Sequence, residues 1–140
     1  MKDYREKARK YIEKEQLVSV MNDTKWTEFR NAMINEMPFS PPYIIKNIYE
    51  AEEGLYFTHF SQDVNYLGDY NYESFQYLQY YMIEWVKVRP RYYEEVGGRL
   101  VSKKIIHDAE KEFIDILKKY NIPYEYENGV YTIFGYKRIK

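Results

Sequence analysis

The chain of 140 residues contains no cysteine. That excludes disulfide staples and thiolate chemistry and suits a reducing cytoplasm. A chain of this length can bury one core without such support. Histidine is nearly absent too, and neither of the two stands in metal-ligand spacing: His59 lies four residues before Asp63, and His107 adjoins Asp108. The serines Ser40, Ser61, Ser74 and Ser102 lack a glycine-flanked nucleophile elbow, and Gly97-Gly98-Arg99 lacks the spacing of a phosphate loop. No stretch approaches the ~20 apolar residues of a membrane span, and Met1 to Tyr11 carry no apolar signal-peptide core. These absences set the expectation of a cytoplasmic protein with no membrane, cofactor, metal or catalytic set.

One further absence is local. Between Lys46 and Lys87 there is no lysine or arginine, yet seven carboxylates and twelve aromatic residues occur there. With 21 basic and 22 acidic residues overall, the remainder of the chain carries 21 minus 15, or +6. A near-neutral total therefore conceals a polarised molecule. Tyrosine combines a large apolar body with a polar tip, and carboxylates around it steer a basic partner. The interface candidates on this reading are Tyr56, Phe57, Asp63, Tyr66, Asp69, Tyr70 and Glu73. The same rings would equally serve as core and sheet packing, with the carboxylates on loops.

Spacing outlines the elements. Asp3 to Val20 carries only a thin apolar stripe and reads as a peripheral helix. Asn22 or Asp23 can cap a second helix bearing Trp26, Phe29, Met33 and Met37, which Pro38 ends. Tyr43 to Glu50 reads as a strand, as do the short runs Leu55–Phe60 and Val64–Leu67, and Tyr72–Tyr77 as a helical turn. From Tyr80 to Arg89 a central strand is expected, with Met82, Glu84, Val86 and Val88 on one face and Tyr81, Ile83, Trp85 and Lys87 on the other. Arg99 to Ile106 reads as one short strand. His107 or Asp108 then caps a helix with Ala109, Phe113, Ile116, Leu117 and Tyr120 on its stripe, stopped at Asn121 and Pro123. Tyr124 to Tyr136 reads as a hairpin whose Asn128-Gly129 favours a type I′ turn. The sum is a single α+β domain over 1–140: an antiparallel sheet with helices on one face and a C-terminal β-hairpin.

Arg89 and Arg91, just past the central strand, could hold a carboxylate or phosphate beside Glu84 and Trp85. The competing reading buries Trp85 and pairs the arginines with nearby acids such as Asp63 or Asp69. Basic residues from Lys87 to Lys104 and at Lys137, Arg138 and Lys140 bear no nucleic-acid motif, and Glu94, Glu95 and a pI of 6.2 oppose such binding.

The strings Lys25-Trp-Thr-Glu-Phe, Asp63-Val-Asn-Tyr-Leu-Gly-Asp, Ile83-Glu-Trp-Val-Lys-Val-Arg-Pro-Arg-Tyr, Gly98-Arg-Leu-Val and Lys119-Tyr-Asn-Ile-Pro-Tyr-Glu resemble a family of small uncharacterised bacterial proteins common in bacilli. The resemblance spans Asn22 to Tyr136, leaves the first helix outside, and implies bacterial origin and a single-domain unit. It brings no activity or functional residue with it. The leading expectation is a non-enzymatic protein-binding domain, immunity- or antitoxin-like, that blocks a basic effector. The alternative is a small-molecule sensor or small enzyme with a pocket near Trp85 and Arg89, using Glu84 or an aspartate as base.

Overall fold

Local signals place the two core helices. In the computed structural model, which describes residues 4–49, 62–71 and 79–139, the Asn22 side chain accepts from the Lys25 amide at 2.8 Å and so opens helix α2, Asp23–Asn35. Its buried stripe is Trp26, Phe29, Ala32 and Met33. The other, α3 (Glu110–Lys119), has Ala109 at its cap position rather than the expected His107 or Asp108, which end the preceding strand; the Asp108 carboxylate still accepts from the Glu110 amide at 2.9 Å. Glu110 and Glu112 in its first turn and Lys118 and Lys119 in its last complement the helix dipole. Asn121, at φ 54°, carries the chain out in the left-handed region.

These helices share the core with the main sheet. Strands β2 (Tyr43–Asn47), β3 (Ile83–Val88), β7 (Val130–Phe134) and β6 (Glu125–Glu127) lie in the order β2-β3-β7-β6, all antiparallel. Register sets Val86 opposite Ile133 and Ile45, and Val88 opposite Tyr131 and Tyr43. That face meets Phe29 and Phe113, whose rings sit edge-on at 6.4 Å, with Tyr131 5.2 Å beyond. The expected α+β architecture with a C-terminal hairpin is present. Asn128 at φ 51° and Gly129 at φ 83° form the turn between β6 and β7, as the Asn-Gly pair requires.

Other elements depart from expectation. Helix α1 spans Tyr4–Lys14 and stops before Gln16, whose φ is 57°. The chain then forms strand β1 (Leu17–Ser19), which pairs with β8 (Tyr136–Arg138). The run read as one strand through Tyr136 is divided at Gly135. There a Cβ would lie 2.1 Å from the Ile83 carbonyl oxygen, while the Gly135 amide donates to Glu84 O at 2.7 Å. Only glycine permits that approach, and the chain changes sheets at this residue. Ala8, Leu17 and Ile48, with Tyr81 and Tyr136 against them, make a second small core under α1.

The strand expected from Tyr43 to Glu50 ends at Asn47, after a register shift at Lys46. The one expected from Tyr80 begins as a 3₁₀ turn, Tyr80–Met82, before β3. Val64–Leu67 contributes a single bridge, Val64 to Tyr92. Leu55–Phe60 and Tyr72–Tyr77 lie outside the described residues. The largest difference among the described residues is a third sheet: β4 (Arg91–Gly97), a stretch where no strand is expected from spacing, pairs over its whole length with β5 (Ser102–Asp108).

Candidate functional site

The β4–β5 hairpin forms an arm. Every residue from Glu94 to Ile106 is exposed. Leu100 at its tip is 97% exposed and Val101 74%, while Val96, Ile105 and Ile106 also face solvent. An isolated two-stranded hairpin is marginally stable in water, so its base must be held.

One carboxylate organises that base. Asp63 Oδ1 accepts from Arg89 Nε and from Arg91 Nε, both at 3.0 Å, and Oδ2 accepts from Arg91 Nη2 at 3.0 Å. Arg91 Nη1 donates onward to Asp108 Oδ2 at 2.9 Å, across the first rung of the arm. Arg89 Nη1 donates to Asn128 O at 3.2 Å, tying in the β6–β7 turn. Arg91, with help from Arg89, holds the Asp63 carboxyl below the usual carboxylate range despite the cost of its partial burial. The Tyr93 amide donates to Val64 O at 2.9 Å beside this clamp.

Rings reinforce it. Tyr92 stacks on His107 at 4.7 Å and meets the Phe39 edge at 4.8 Å, while His107 Nε2 lies 2.6 Å from Glu94 Oε1. Lys104 Nζ sits 4.5 Å above the Tyr93 ring. Arg99 adjoins the apolar tip and Lys103 follows on β5, while Lys104 stands opposite Glu95 in the register.

A second polar cluster lies in the interior. Lys46 and Glu84 are 1% and 3% exposed, and Lys46 Nζ donates to Glu84 Oε1 at 2.7 Å. Arg138 approaches the same carboxylate through Nη2 at 2.9 Å and Nε at 3.3 Å. The base suggested for a pocket is thus an internal counter-ion.

The other anticipated residues scatter. Trp85 is buried at 2% exposure, with Lys87 Nζ 4.9 Å over its ring. Arg89 and Arg91 are occupied by Asp63, and β3 separates Glu84 from Arg89 by five residues, about 16 Å of strand. Tyr66 and Asp69 are exposed. Tyr70 is a correction: it is 1% exposed, packs on Tyr43 and Phe29, and its hydroxyl donates to Pro41 O at 2.8 Å, so it belongs to the core. Tyr56, Phe57 and Glu73 lie outside the described residues. Among the described residues no group of three or more His, Cys, Asp or Glu could hold a metal ion, and no helix is long and apolar enough to cross a membrane.

The arm, its clamp and the core that carries them all fall within one family match, to a family of unknown function, DUF6678, over residues 8–140. The chain belongs to the DUF6678 family. The match begins inside α1, so the DUF6678 unit includes most of the first helix, which the resemblance had left outside. No curated protein and no solved structure matched the chain. In this DUF6678 member, β4 and the Lys46–Glu84 pair are the features sequence reasoning missed. Glu84, the one carboxylate in the strand Ile83–Val88, was the available hint, because a buried carboxylate requires a cation.

Proposed function

We propose that the protein is a non-enzymatic protein-binding domain whose contact element is the β4–β5 arm. The carrying observation is the unbroken exposure of Glu94 to Ile106 in a paired hairpin with an apolar tip. An exposed strand edge is a template for strand addition, and alternate side chains supply specificity. Arg99, Lys103 and Lys104 beside Leu100, Val101, Ile105 and Ile106 fit a partner segment with acidic and apolar side chains.

The protein-binding class is retained from the sequence, while the surface moves from the acidic segment to the arm. What supports the move is that Asp63 is already neutralised and Tyr70 is core. An immunity-like role is the form of this reading in which the partner is an enzyme whose site the arm occludes. Loss of that enzyme's activity on binding is its readout.

The test places a photo-crosslinking residue at Leu100, identifies the crosslinked peptide, and measures binding of the purified partner. An acidic, apolar segment whose affinity falls at least about tenfold in L100S/V101S and in K103E/K104E is the expected result. A partner lost with Asp69→Lys but indifferent to the arm variants would return the interface to the acidic segment. Association with anionic vesicles instead would replace protein with membrane.

A further inference from the structure

A cleft of about 420 Å³ opens between α1, the start of α2 and the 3₁₀ turn at Tyr80. That is within the usual range for small-molecule sites. Its walls include Arg5, Asp23, Thr24, Trp26, Tyr80 and Tyr136. The Arg5 guanidinium lies 5.0 Å over the Tyr81 ring, and among the described residues it has no carboxylate partner. Asp23 has no cation partner among them either. One cleft therefore presents a cation and an anion that do not satisfy each other.

Both act on the same internal group. Arg5 favours and Asp23 disfavours ionisation of the Tyr136 hydroxyl, which is raised above its ordinary value chiefly by burial. The hydroxyl itself donates to Tyr81 O at 2.9 Å and is fixed in place. Trp26 and Tyr80 stack with 6.4 Å between centroids and 20° between planes; Trp26 belongs to the core, so Tyr80 is the ring of this pair that the cleft can reach. A neighbouring hollow of about 380 Å³ shares Arg5, Tyr81 and Tyr136 and is floored by Ala8 and Ile12.

We propose that this cleft binds a free amino acid with an apolar side chain, its carboxylate on Arg5, its ammonium on Asp23 and its side chain against the Tyr80 ring. The opposite charges in one aromatic-walled cleft select a zwitterion over a simple anion, since a simple anion would meet Asp23 unfavourably. Arginine offers paired donors to the carboxylate, and the cation above Tyr81 is held without being neutralised. The site is separate from the arm, so its failure leaves the protein-binding reading standing.

Isothermal titration calorimetry of the full chain against the apolar amino acids, with N-acetyl-L-phenylalanine and L-phenylalaninamide as controls, tests it. Saturable binding of at least one amino acid is expected, at least about tenfold weaker in Arg5→Gln and in Asp23→Asn, and similarly weaker for both blocked compounds. No binding by any amino acid, or binding indifferent to both substitutions, overturns the proposal. Binding of inorganic phosphate that Asp23→Asn strengthens would make the cleft an anion site and overturn it equally. Leu100→Ser should leave the titration unchanged.

Discussion

Replacing Glu84 with Gln should destabilise the protein more than replacing Lys46 with Met, although the two residues form one ion pair. The asymmetry follows from the partners. Glu84 serves two cations, Lys46 at 2.7 Å and Arg138 at 2.9 Å, whereas among the described residues Lys46 bonds Glu84 and the Asn47 carbonyl, the latter at 3.2 Å. Their side chains are 1% and 5% exposed. Glu84→Gln strands a buried ammonium, for which breaking one side of a buried pair costs about 3–5 kcal/mol. Lys46→Met leaves the carboxylate bonded to Arg138, so its cost falls toward about 1.5–3 kcal/mol, the worth of one charged hydrogen bond. Total stability for a chain of this size is roughly 7–20 kcal/mol, so both changes are measurable. Replacing the pair together, Lys46→Met with Glu84→Leu, should recover most of the loss, because Arg138 is 41% exposed and stays solvated. Urea denaturation with a common slope reads all three variants. A Lys46→Met variant as unstable as Glu84→Gln, or a double variant no better than Glu84→Gln, would refute the reasoning.

Asp63 gives a pH dependence. Its folded carboxyl titrates below the unfolded value of about 3.9, so its contribution is complete above that pH and is lost as pH falls through the folded value. The urea midpoint gap between wild type and Asp63→Asn should be widest near neutrality and narrow as pH falls below the unfolded carboxyl value; a gap that grows with acid contradicts the clamp. Gly135→Ala should cost about 1–3 kcal/mol or more in thermal unfolding, since the new Cβ would meet Ile83 O at 2.1 Å. Phe113→Ala, at a fully buried ring, should cost about 3–5 kcal/mol by denaturant titration. Leu100→Ser with Val101→Ser should change stability by no more than about 0.5 kcal/mol while weakening partner binding.

What the sequence made legible was local. Asn22 and Asp108 advertise helix starts within three residues of the amides they bond, and Asn128-Gly129 dictates its own turn. The arm was illegible because the signal for a strand is one buried face. Arg91-Tyr-Tyr-Glu-Glu-Val-Gly has little buried face along the arm, so its side chains do not alternate. β1 is three residues long and exists only because β8 lies beside it. At the clamp, pairing of Arg89 and Arg91 with Asp63 was one of the readings the charges allowed, and the structure selects it. Lys46 and Glu84 are 38 residues apart, and only the tertiary fold brings them together.

The clamp at Asp63 lies at the root of a long lever. Seven residues of extended chain reach about 20 Å from the Arg91–Asp108 rung toward Leu100. Over that radius a tilt of about 10° at the base sweeps the tip through about 3–4 Å, roughly one residue of strand register. Asp63 thus sits at the pivot of a lever: a shift at its carboxylate too small to alter the core would reach the tip magnified.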